Sequence, residues 1–371
     1  MLKKFKVSNF KSFNKDFEFN LSDVNGYEFN KESIKNGIVN NALIYGHNGV
    51  GKSNLGLAIF DIIGHLTDKN INEDNYLPYL NAMNGAPFAH FIYEFVFDSN
   101  TVIYEYEKLD VKTTHFERLV INGNELAKID RRNSNQAEIN FEGAETLNKQ
   151  LTNKNLSLIK YIKNNTQLTD NLENNVFFSF YNFLECMLFF RSLDQNMYLG
   201  IETGSRGIEE DIIERGNVQD LENFLNKAGI KCKLSVEKEF EREVLAFNFN
   251  GKLISFYQIA STGTKALTLF YYWLQRLREK SKVKLLFIDE FDAFYHHDLS
   301  ALIVEELKKT NIQFILTSHN TSIITNDLLR PDCYFLMTMK KIQSLSNSTP
   351  KELREAHNIE KMYKAGAFDG E

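Results

Sequence analysis

The sequence predicts an α/β fold, and three of its stretches support this prediction. An apolar segment at 41–45 leads into a glycine-rich turn at 46–53, and apolar residues at helical spacing follow that turn. A second apolar segment, 283–288, is followed by two acidic residues, and a third, 313–317, is followed by Ser318-His319. Short apolar strands that alternate with helical patterns are typical of a parallel sheet with helices on its faces.

The composition limits the class of protein. The chain has 371 residues, 43% of them hydrophobic and 25% charged, with a formal net charge of −6. This is the composition of an ordinary soluble globular protein of one large domain or two. The acidic balance argues against a uniformly basic nucleic-acid binder, while a local basic groove for DNA stays open as an alternative. No apolar run approaches the roughly 18 residues of a membrane span. Three scattered cysteines fit a reducing compartment, so we expect a cytoplasmic protein without membrane contact.

The turn at 46–53 fits the pattern G-x-x-x-x-G-K-[ST] of the phosphate-binding P-loop. Gly49 and Gly51 allow the backbone to approach a phosphate without a Cβ in the way. Free N–H groups at a helix start and the helix dipole both favour an anion there. We expect Lys52 to reach the outer phosphates of ATP and the Ser53 hydroxyl to ligate Mg²⁺. The residues of this stretch assigned to the nucleotide are Gly46, His47, Asn48, Gly49, Val50, Gly51, Lys52, Ser53 and Asn54.

The apolar segment 283–288 ends in two carboxylates, Asp289 and Glu290. Phosphoryl transfer needs an acid beside Mg²⁺ and a base that takes a proton from the attacking water. We assign Asp289, together with Ser53, to the metal and Glu290 to the base. An apolar run before Asp-Glu is weak evidence alone, but in combination with a P-loop it predicts hydrolysis of ATP.

Two further segments extend this site. His319 closes the next apolar strand, and the carboxyl ends of neighbouring parallel strands meet at one edge of a sheet. His319 is therefore predicted to lie near the carboxylates and to contact the γ-phosphate, which completes a catalytic set with Lys52 and Glu290. Small and hydroxyl residues at 261–265 open the helix before the acidic strand, where they would bind phosphate or form an ordinary helix cap.

The order of these motifs divides the chain into four parts. The predicted head has a first lobe at 1–66 with the P-loop and a second lobe at 251–345 with the acidic and histidine strands. A strand-rich and helical insertion at 67–250 lies between them, and 346–371 form a helical tail. Inside these ranges we expect two strands within 2–20, further strands at 88–97, 102–109, 116–121, 233–236, 244–248, 253–256 and 333–339, and helices at 144–151, 176–190 (alternatively a pair of strands), 218–228, 264–279, 300–309 and from Thr349 onward.

This order of motifs resembles the ABC-type ATPase heads of the SMC and RecF group. It resembles more closely the short ATPases of the AAA_15/AAA_21 class found in the OLD family and among RloA-like, abortive-infection and AriA-like phage-defence ATPases. Residues 9–13, Asn-Phe-Lys-Ser-Phe, match the N-terminal turn of this family, and the resemblance places Lys11 and Ser12 beside the nucleotide. The tail at 360–368 is similar to the family's C-terminal ending.

The resemblance implies an ABC-type P-loop NTPase head, with a mixed sheet and flanking helices, a mixed β/α insertion and no long coiled coil. It implies that Ser261, Gly263, Thr264 and Lys265 form the signature segment, which reaches the γ-phosphate bound by a second subunit. Two ATP–Mg²⁺ would then be enclosed, and slowly hydrolysed, in a homodimer or higher homo-oligomer. The resemblance further implies a sensor or regulator in bacterial anti-phage defence, acting on a separately encoded toxin or nuclease.

Three features differ from the family pattern. The signature reads Ser-Thr-Gly-Thr-Lys rather than Leu-Ser-Gly-Gly-Gln, which argues against a transporter subunit. No glutamine lies between Ser53 and Gln136, so the metal-contacting glutamine of the lid has no evident counterpart. The sequence ends shortly after the predicted head, so we do not expect the nuclease module of OLD enzymes. The alternatives are a DNA-dependent ATPase or helicase, suggested by the D-E-x-D pattern at 289–292, a RecF-type DNA-repair ATPase, and an assembly scaffold.

Overall fold

Two seven-stranded sheets, with one helix between them, form most of the structure. The structure is a computed structural model that describes residues 1–69, 71–191, 198–200, 207–239, 242–278, 282–293 and 297–368. The strands are β1 (Leu2–Ser8), β2 (Phe17–Asn20), β3 (Ile34–Lys35), β4 (Ile38–Val39), β5 (Asn41–Tyr45), β6 (Ala89–Phe97), β7 (Asn100–Lys108), β8 (Thr114–Ile121), β9 (Asn124–Asp130), β10 (Glu138–Ile139), β11 (Met187–Arg191), β12 (Tyr198–Gly200), β13 (Leu234–Glu239), β14 (Arg242–Phe249), β15 (Lys252–Ser255), β16 (Leu285–Asp289), β17 (Gln313–Ser318), β18 (Tyr334–Met337) and β19 (Ile342–Ser344). The α-helices are α1 (Lys52–Leu66), α2 (Leu158–Asn165), α3 (Leu172–Glu185), α4 (Ile208–Glu214), α5 (Val218–Lys227), α6 (Phe256–Ile259), α7 (Thr262–Arg278), α8 (His297–Lys308) and α9 (Ile359–Lys364).

The first sheet is parallel at its centre. Its strand order is β12-β11-β16-β17-β5-β18-β19, and the five inner strands are parallel while both edge strands are antiparallel. Every residue of β5, β16 and β17 is buried, which explains why these strands read as unbroken apolar runs. The three apolar strands of the sequence analysis are thus neighbours, and their carboxyl ends share one edge.

The second sheet is antiparallel throughout, in the order β10-β9-β8-β7-β6-β1-β2. Buried and partly exposed residues alternate along β6, as the sequence predicted for a sheet with one covered face. β1 pairs with β6, and β11 pairs with β16 in the other sheet, so residues 67–250 contribute strands to both sheets. A third sheet, β13-β14-β15, packs with α4, α5 and α6.

Helix α1 packs against the parallel sheet through Gly56. A Cβ at this position would lie 2.8 Å from Cε1 of Phe287 and 2.9 Å from Cε2 of Phe189, closer than real Cβ contacts. Only glycine allows the helix to approach the two rings this closely. The close approach fixes the helix whose first turn carries Lys52 and Ser53.

Gly56→Ala is expected to destabilise the protein. Alanine is a better helix former by about 1 kcal/mol, but overpacking against two buried rings costs about 1–3 kcal/mol. Gly64→Ala, on the same helix, is the matched control, because its Cβ would meet one partly buried side chain, that of Ile71, at 2.6 Å from Cδ1 and 3.2–3.3 Å from the two Cγ atoms, and this side chain can shift more easily than two buried rings. Urea unfolding should show a lower midpoint for Gly56→Ala and an unchanged or higher midpoint for Gly64→Ala. Equal midpoints would contradict the packing described above.

The opposite side of α1 carries a buried charge. The Asp61 carboxylate is fully buried, and the Lys108 ammonium, which is 1% exposed, lies 3.0 Å from it. The hydroxyls of Tyr79 and Tyr106 also donate hydrogen bonds to this carboxylate, at 3.1 and 2.9 Å. The carboxylate is thus surrounded by donors, which offsets the cost of removing a charge from water. The network joins α1 to the antiparallel sheet.

The apolar stretch at 176–190 is not one helix. The structure divides it into the end of α3 and the strand β11, and Cys186 lies between them. The alternative of two strands is also wrong. Periodicity did not separate the two elements, because both are buried and apolar on most sides. β11 is a strand because β16 offers it a parallel edge to pair with.

Two other helix predictions are wrong. Residues 144–151 form turns, and the helix of this region is α2, which Ser157 caps by accepting the Lys160 N–H. No helix begins at Thr349; the tail helix is α9, capped by Asn358. At α2, contacts distant in sequence support the observed helix. At α2 the buried Glu117 accepts the N–H groups of Leu158 and Ile159.

The fold class predicted from the sequence is confirmed. The chain has a mixed α/β fold with several sheets and flanking helices. The longest helix in the described ranges is α7, with 17 residues, so none of them forms a long coiled coil. No helix in the described part of the chain is both long enough and apolar enough to cross a membrane.

Candidate nucleotide-binding site

The P-loop is held in a conformation that needs glycine. Gly49 and Gly51 have φ angles of +84° and +104°, in the left-handed region that L side chains rarely adopt. A Cβ at Gly51 would lie 2.6 Å from Oγ of Ser12, and one at Gly46 would lie 2.7 Å from the carbonyl oxygen of Met337. The loop is therefore packed between the 9–13 turn and the end of β18. That the backbone N–H groups of this loop hold a phosphate stays a prediction from the sequence.

Lys52 begins α1, and its side chain folds back across the loop. Nζ donates hydrogen bonds to the carbonyl oxygens of Gly46 and His47, at 2.7 and 3.2 Å. Burial lowers the pKa of Lys52, while the carboxylates of Glu290 and Asp289 act in the opposite direction and raise it. The ammonium therefore lies within electrostatic reach of both predicted catalytic carboxylates. Since the loop carbonyls are weak partners, phosphate oxygens would replace them readily.

Of the two residues of the 9–13 turn that were predicted to lie beside the nucleotide, only Ser12 contacts the segment at 46–54 through its side chain. Oγ of Ser12 accepts a hydrogen bond from Nδ2 of Asn54, at 2.9 Å, which joins the turn to the first turn of α1. The Lys11 ammonium instead donates to the carbonyl oxygens of Asn75 and Leu77, at 3.0 and 3.2 Å. Burial lowers the pKa of Lys11. Lys11 thus anchors the loop between α1 and β6 beside the P-loop.

A threonine that the sequence analysis did not assign links Asp289, the predicted metal ligand, to Glu290, the predicted base. Asp289 is fully buried, and its Oδ1 accepts a hydrogen bond from Oγ1 of Thr317, at 2.7 Å. The same Thr317 oxygen accepts the backbone N–H of Glu290, at 2.8 Å. Glu290 has a φ of +47°, and this hydrogen bond helps to hold the residue in that uncommon conformation. Thr317 therefore fixes the backbone from which the proposed base projects.

A second hydroxyl on β17 holds the turn around His319. Oγ of Ser318 donates to Oδ2 of Asp292, at 2.6 Å, and accepts the backbone N–H of Asn320, at 2.8 Å. The two hydrogen bonds bracket His319, whose side chain is exposed at the sheet edge. Burial raises the pKa of Asp292. The signal that sequence reasoning missed is the pair of hydroxyls that ends an otherwise apolar strand.

Thr317→Val is expected to lower both stability and turnover. The isosteric valine leaves a buried carboxylate oxygen and the Glu290 N–H without this hydroxyl, a cost of about 1–3 kcal/mol. Thr317→Ser retains the hydroxyl and should behave like the parent in both respects. Urea unfolding and steady-state release of phosphate from ATP measure the two effects. A Thr317→Val protein as active as Thr317→Ser would mean that the threonine does not position Glu290.

Residues 261–265 form the N-terminal cap of α7, which is one of the two alternatives that the sequence analysis gave for this segment. Oγ of Ser261 accepts the backbone N–H of Thr264, at 3.1 Å, and pairs with the Thr264 hydroxyl, at 2.8 Å. Nζ of Lys265 lies 5.9 Å from the ring centroid of Tyr257. Gly263 lies in the first turn of α7. Among the described residues, no hydrogen bond or ion pair joins 261–265 to the P-loop of the same chain.

The donor set fits Mg²⁺ bound together with nucleotide. Ser53 lies at the start of α1, which follows β5, and would supply a hydroxyl; Asp289 lies at the end of β16, two strands from β5 in the sheet, and would supply a carboxylate. Oxygen donors are what Mg²⁺ prefers, and the ion usually binds through one or two carboxylates plus phosphates and water. Within the described residues no group of three or more His, Cys, Asp or Glu could hold a metal ion. These residues would therefore hold Mg²⁺ through the phosphates rather than in a cage of their own.

Comparison with known proteins is consistent with this chemistry. The sequence profile of AAA_21, described as "AAA domain, putative AbiEii toxin, Type IV TA system", matches residues 42–325. No curated protein matches the sequence. Three solved structures are similar over most of the chain: an SMC head bound to the C-winged helix domain of ScpA (16% identity, 93% of this chain and 97% of that chain, TM-score 0.48), the SMC head domain from Thermotoga maritima (15%, 95% and 99%, 0.42), and the recombination mediator RecF with ATP (16%, 93% and 99%, 0.39).

Proposed function

Because the chain belongs to the AAA_21 family, we propose that it binds ATP with Mg²⁺ and hydrolyses the ATP in sites shared by two copies. One observation supports this most directly: the Lys52 ammonium lies across the P-loop within electrostatic reach of Asp289 and Glu290. Phosphoryl transfer depends mainly on positioning and charge stabilisation, and this arrangement supplies both.

Each residue of the site has a role in this proposal. Lys52 and the N–H groups of the loop bind the phosphates, while Ser53 and Asp289 hold Mg²⁺, which neutralises charge on the phosphate oxygens. Glu290 takes the proton of the attacking water. His319 contacts the γ-phosphate from the next strand end. Thr317 holds the Asp289 side chain and the Glu290 backbone in position through its hydroxyl.

The second half of each site comes from the partner copy in this proposal. Ser261 is exposed at the capped start of α7 and has no hydrogen bond to its own P-loop among the described residues. A helix N-terminus of this kind binds anions, and the γ-phosphate in the other copy is such an anion. Bound ATP would then favour the dimer, because it contacts both copies only in that state.

We also propose that this ATP-dependent dimer regulates a separately encoded effector, a toxin or a nuclease, in bacterial defence against phage. The family description, which includes a putative toxin of a type IV toxin–antitoxin system, supports such a role. The biological readout is protection of cells from phage. Glu290→Gln should abolish this protection or lock the ATP-dependent dimer in one state. Protection that is unchanged in this variant would favour a scaffold whose ATPase serves only assembly.

The dimer proposal is tested by the solution mass of Glu290→Gln, measured by light scattering with and without ATP–Mg²⁺. The amide cannot take the proton, so ATP should stay bound and the mass should double. Adding Ser261→Arg places a bulky side chain at the partner's phosphate and should return the mass to that of a monomer. A mass that does not change although ATP is bound would overturn the shared site.

A further inference from the structure

A groove beside the start of α7 has an unusual charge for this protein. It has a volume of about 730 Å³ and borders Ser261 and Thr264. Its described lining includes Lys231 and Lys233 and no carboxylate, although the chain has 49 acidic and 43 basic residues. Both lysines are exposed. We refer to this feature as the lysine groove.

The lysine groove also exposes large apolar side chains. Phe249 is 54% exposed and Ile259 is 47% exposed, and both line the groove. Tyr257, on α6 beside Ile259, is 39% exposed. Exposed apolar side chains that occur together, with polar residues around them, are typical of a surface that contacts another macromolecule. An occupant of the groove would therefore present apolar side chains together with negative charge.

The loop at 71–84, here named the acidic loop, has this chemistry. Met83 is 80% exposed and Leu77 is 58% exposed. Glu73 and Asp74 are exposed on the same loop, and Glu73 pairs with Lys112 at 2.7 Å in an ion pair whose side chains are 48% and 59% exposed. An exposed pair of this kind contributes little and can be exchanged for another partner. The acidic loop thus complements the lysine groove in charge and in apolar surface.

The two surfaces flank opposite halves of the proposed shared site. The acidic loop is tied to the P-loop side, because Lys11 donates to the carbonyl oxygens of Asn75 and Leu77 and its own carbonyl accepts Nδ2 of Asn81, at 2.6 Å. The lysine groove borders Ser261 on the signature side. A dimer that brings Ser261 to the partner's P-loop therefore brings the groove towards the partner's acidic loop.

We infer that the acidic loop of one copy docks in the lysine groove of the other, once on each side of the nucleotide-bound dimer. This inference rests on the proposed function, since it names the contacts that accompany the shared ATP. In a two-fold dimer the contact forms twice, so any change to it counts twice. Complementary charge of this kind sets the rate and register of association and excludes wrong partners.

Charge reversal tests this docking in the Glu290→Gln background with ATP–Mg²⁺. Lys231→Glu with Lys233→Glu should raise the dimer Kd about 10- to 100-fold, because it faces like charges against each other. Glu73→Lys with Asp74→Lys should weaken the dimer similarly. The chain that carries all four changes restores opposite charges on both sides and should regain most of the affinity. Sedimentation at several protein concentrations measures the Kd.

The matched control is Lys238→Glu with Lys252→Glu. These lysines are exposed on the same small sheet but do not line the groove, so the same charge change should leave the Kd unaltered. Binding of a fluorescent ATP analogue shows that each variant retains its own half-site. A dimer of unchanged Kd after reversal of Lys231 and Lys233, or four changes without rescue, would overturn the inference.

Two other outcomes are distinguishable. A Glu290→Gln parent that binds ATP but stays monomeric refutes the proposed shared site rather than the docking alone. A lysine-reversal variant that dimerises normally but no longer binds a single-stranded DNA oligonucleotide overturns the docking and assigns the groove to nucleic acid.

Discussion

Asp61→Ala is expected to lower the free energy of unfolding by about 3–5 kcal/mol, because it leaves the Lys108 ammonium buried without its carboxylate. Two tyrosine hydroxyls lose their acceptor at the same time. Such a loss is a large part of the total stability of a protein, which is typically about 5–15 kcal/mol. Chemical denaturation followed by circular dichroism measures it.

The double variant Asp61→Leu with Lys108→Met separates charge from packing. It removes both charges and fills the space with apolar atoms, so it should recover much of the lost stability. Glu352→Ala is the surface control: it breaks the exposed pair between Glu352 and Arg354 and should leave the unfolding midpoint unchanged. Similar losses for Asp61→Ala and Glu352→Ala would mean that the network beneath α1 contributes little.

Glu290→Gln is expected to lower the turnover of ATP by about 10²- to 10⁴-fold, the usual contribution of a general base. Binding of ATP should change little, since the amide has nearly the same shape and Lys52 retains its contacts with the loop. Lys52→Ala is the informative contrast, because it removes the cation and should weaken ATP binding itself. Phosphate release and binding of a fluorescent ATP analogue measure the two quantities separately.

The result that would contradict this assignment is equally specific. If Glu290→Gln retains turnover within a few-fold of the parent, the proton is taken elsewhere. Asp292, buried near Lys52 and linked to Ser318, would then be the first carboxylate to test. If binding and turnover fall together, Glu290 contributes to the fold of the sheet edge.

The centre of the fold could be predicted because each of its parts carries a local signal. β5, β16 and β17 are short buried strands, and a strand buried on both faces is mostly apolar; its polar residues here, Asn41, Asp289, Gln313, Thr317 and Ser318, lie at the strand ends. The P-loop has a fixed pattern, and Gly49 and Gly51 within it have positive φ angles that favour glycine. Because parallel strands place their carboxyl ends at one edge of the sheet, the sequence alone was enough to predict that residues far apart along the chain lie near each other.

The error at β11 also had a consequence for the site. Because 176–190 was predicted as one helix, no strand was expected beside β16 at the catalytic edge. β11 is that strand, with Arg191 in register with Asp289. The residues that follow it, 192–197, lie outside the described residues, and their sequence includes Gln195. The sequence analysis looked for a lid glutamine only before Gln136, so the segment after β11 was not considered.

The pair of hydroxyls at the end of β17 is visible in the sequence, but the sequence does not reveal their hydrogen-bond partners. A threonine or serine at a strand end is common, and its partner is set by which strand lies next to it. Thr317 contacts Asp289 because β17 and β16 are neighbours in the sheet, although 23 residues, 290–312, separate the two strands in the sequence. Side-chain contacts of this kind depend on the tertiary structure, whereas motifs such as the P-loop can be recognised in the sequence.

The position of β5 has a consequence for synthesis of the protein. Its two neighbours in the sheet, β17 and β18, lie at Gln313–Ser318 and Tyr334–Met337. During translation β5 therefore leaves the ribosome with both edges unpaired and stays so until almost the whole chain has followed. At about 5–20 residues per second this delay lasts roughly 15–60 s. A nascent chain cannot complete its P-loop earlier, and exposed apolar strand edges of this kind are where chaperones bind and aggregation begins.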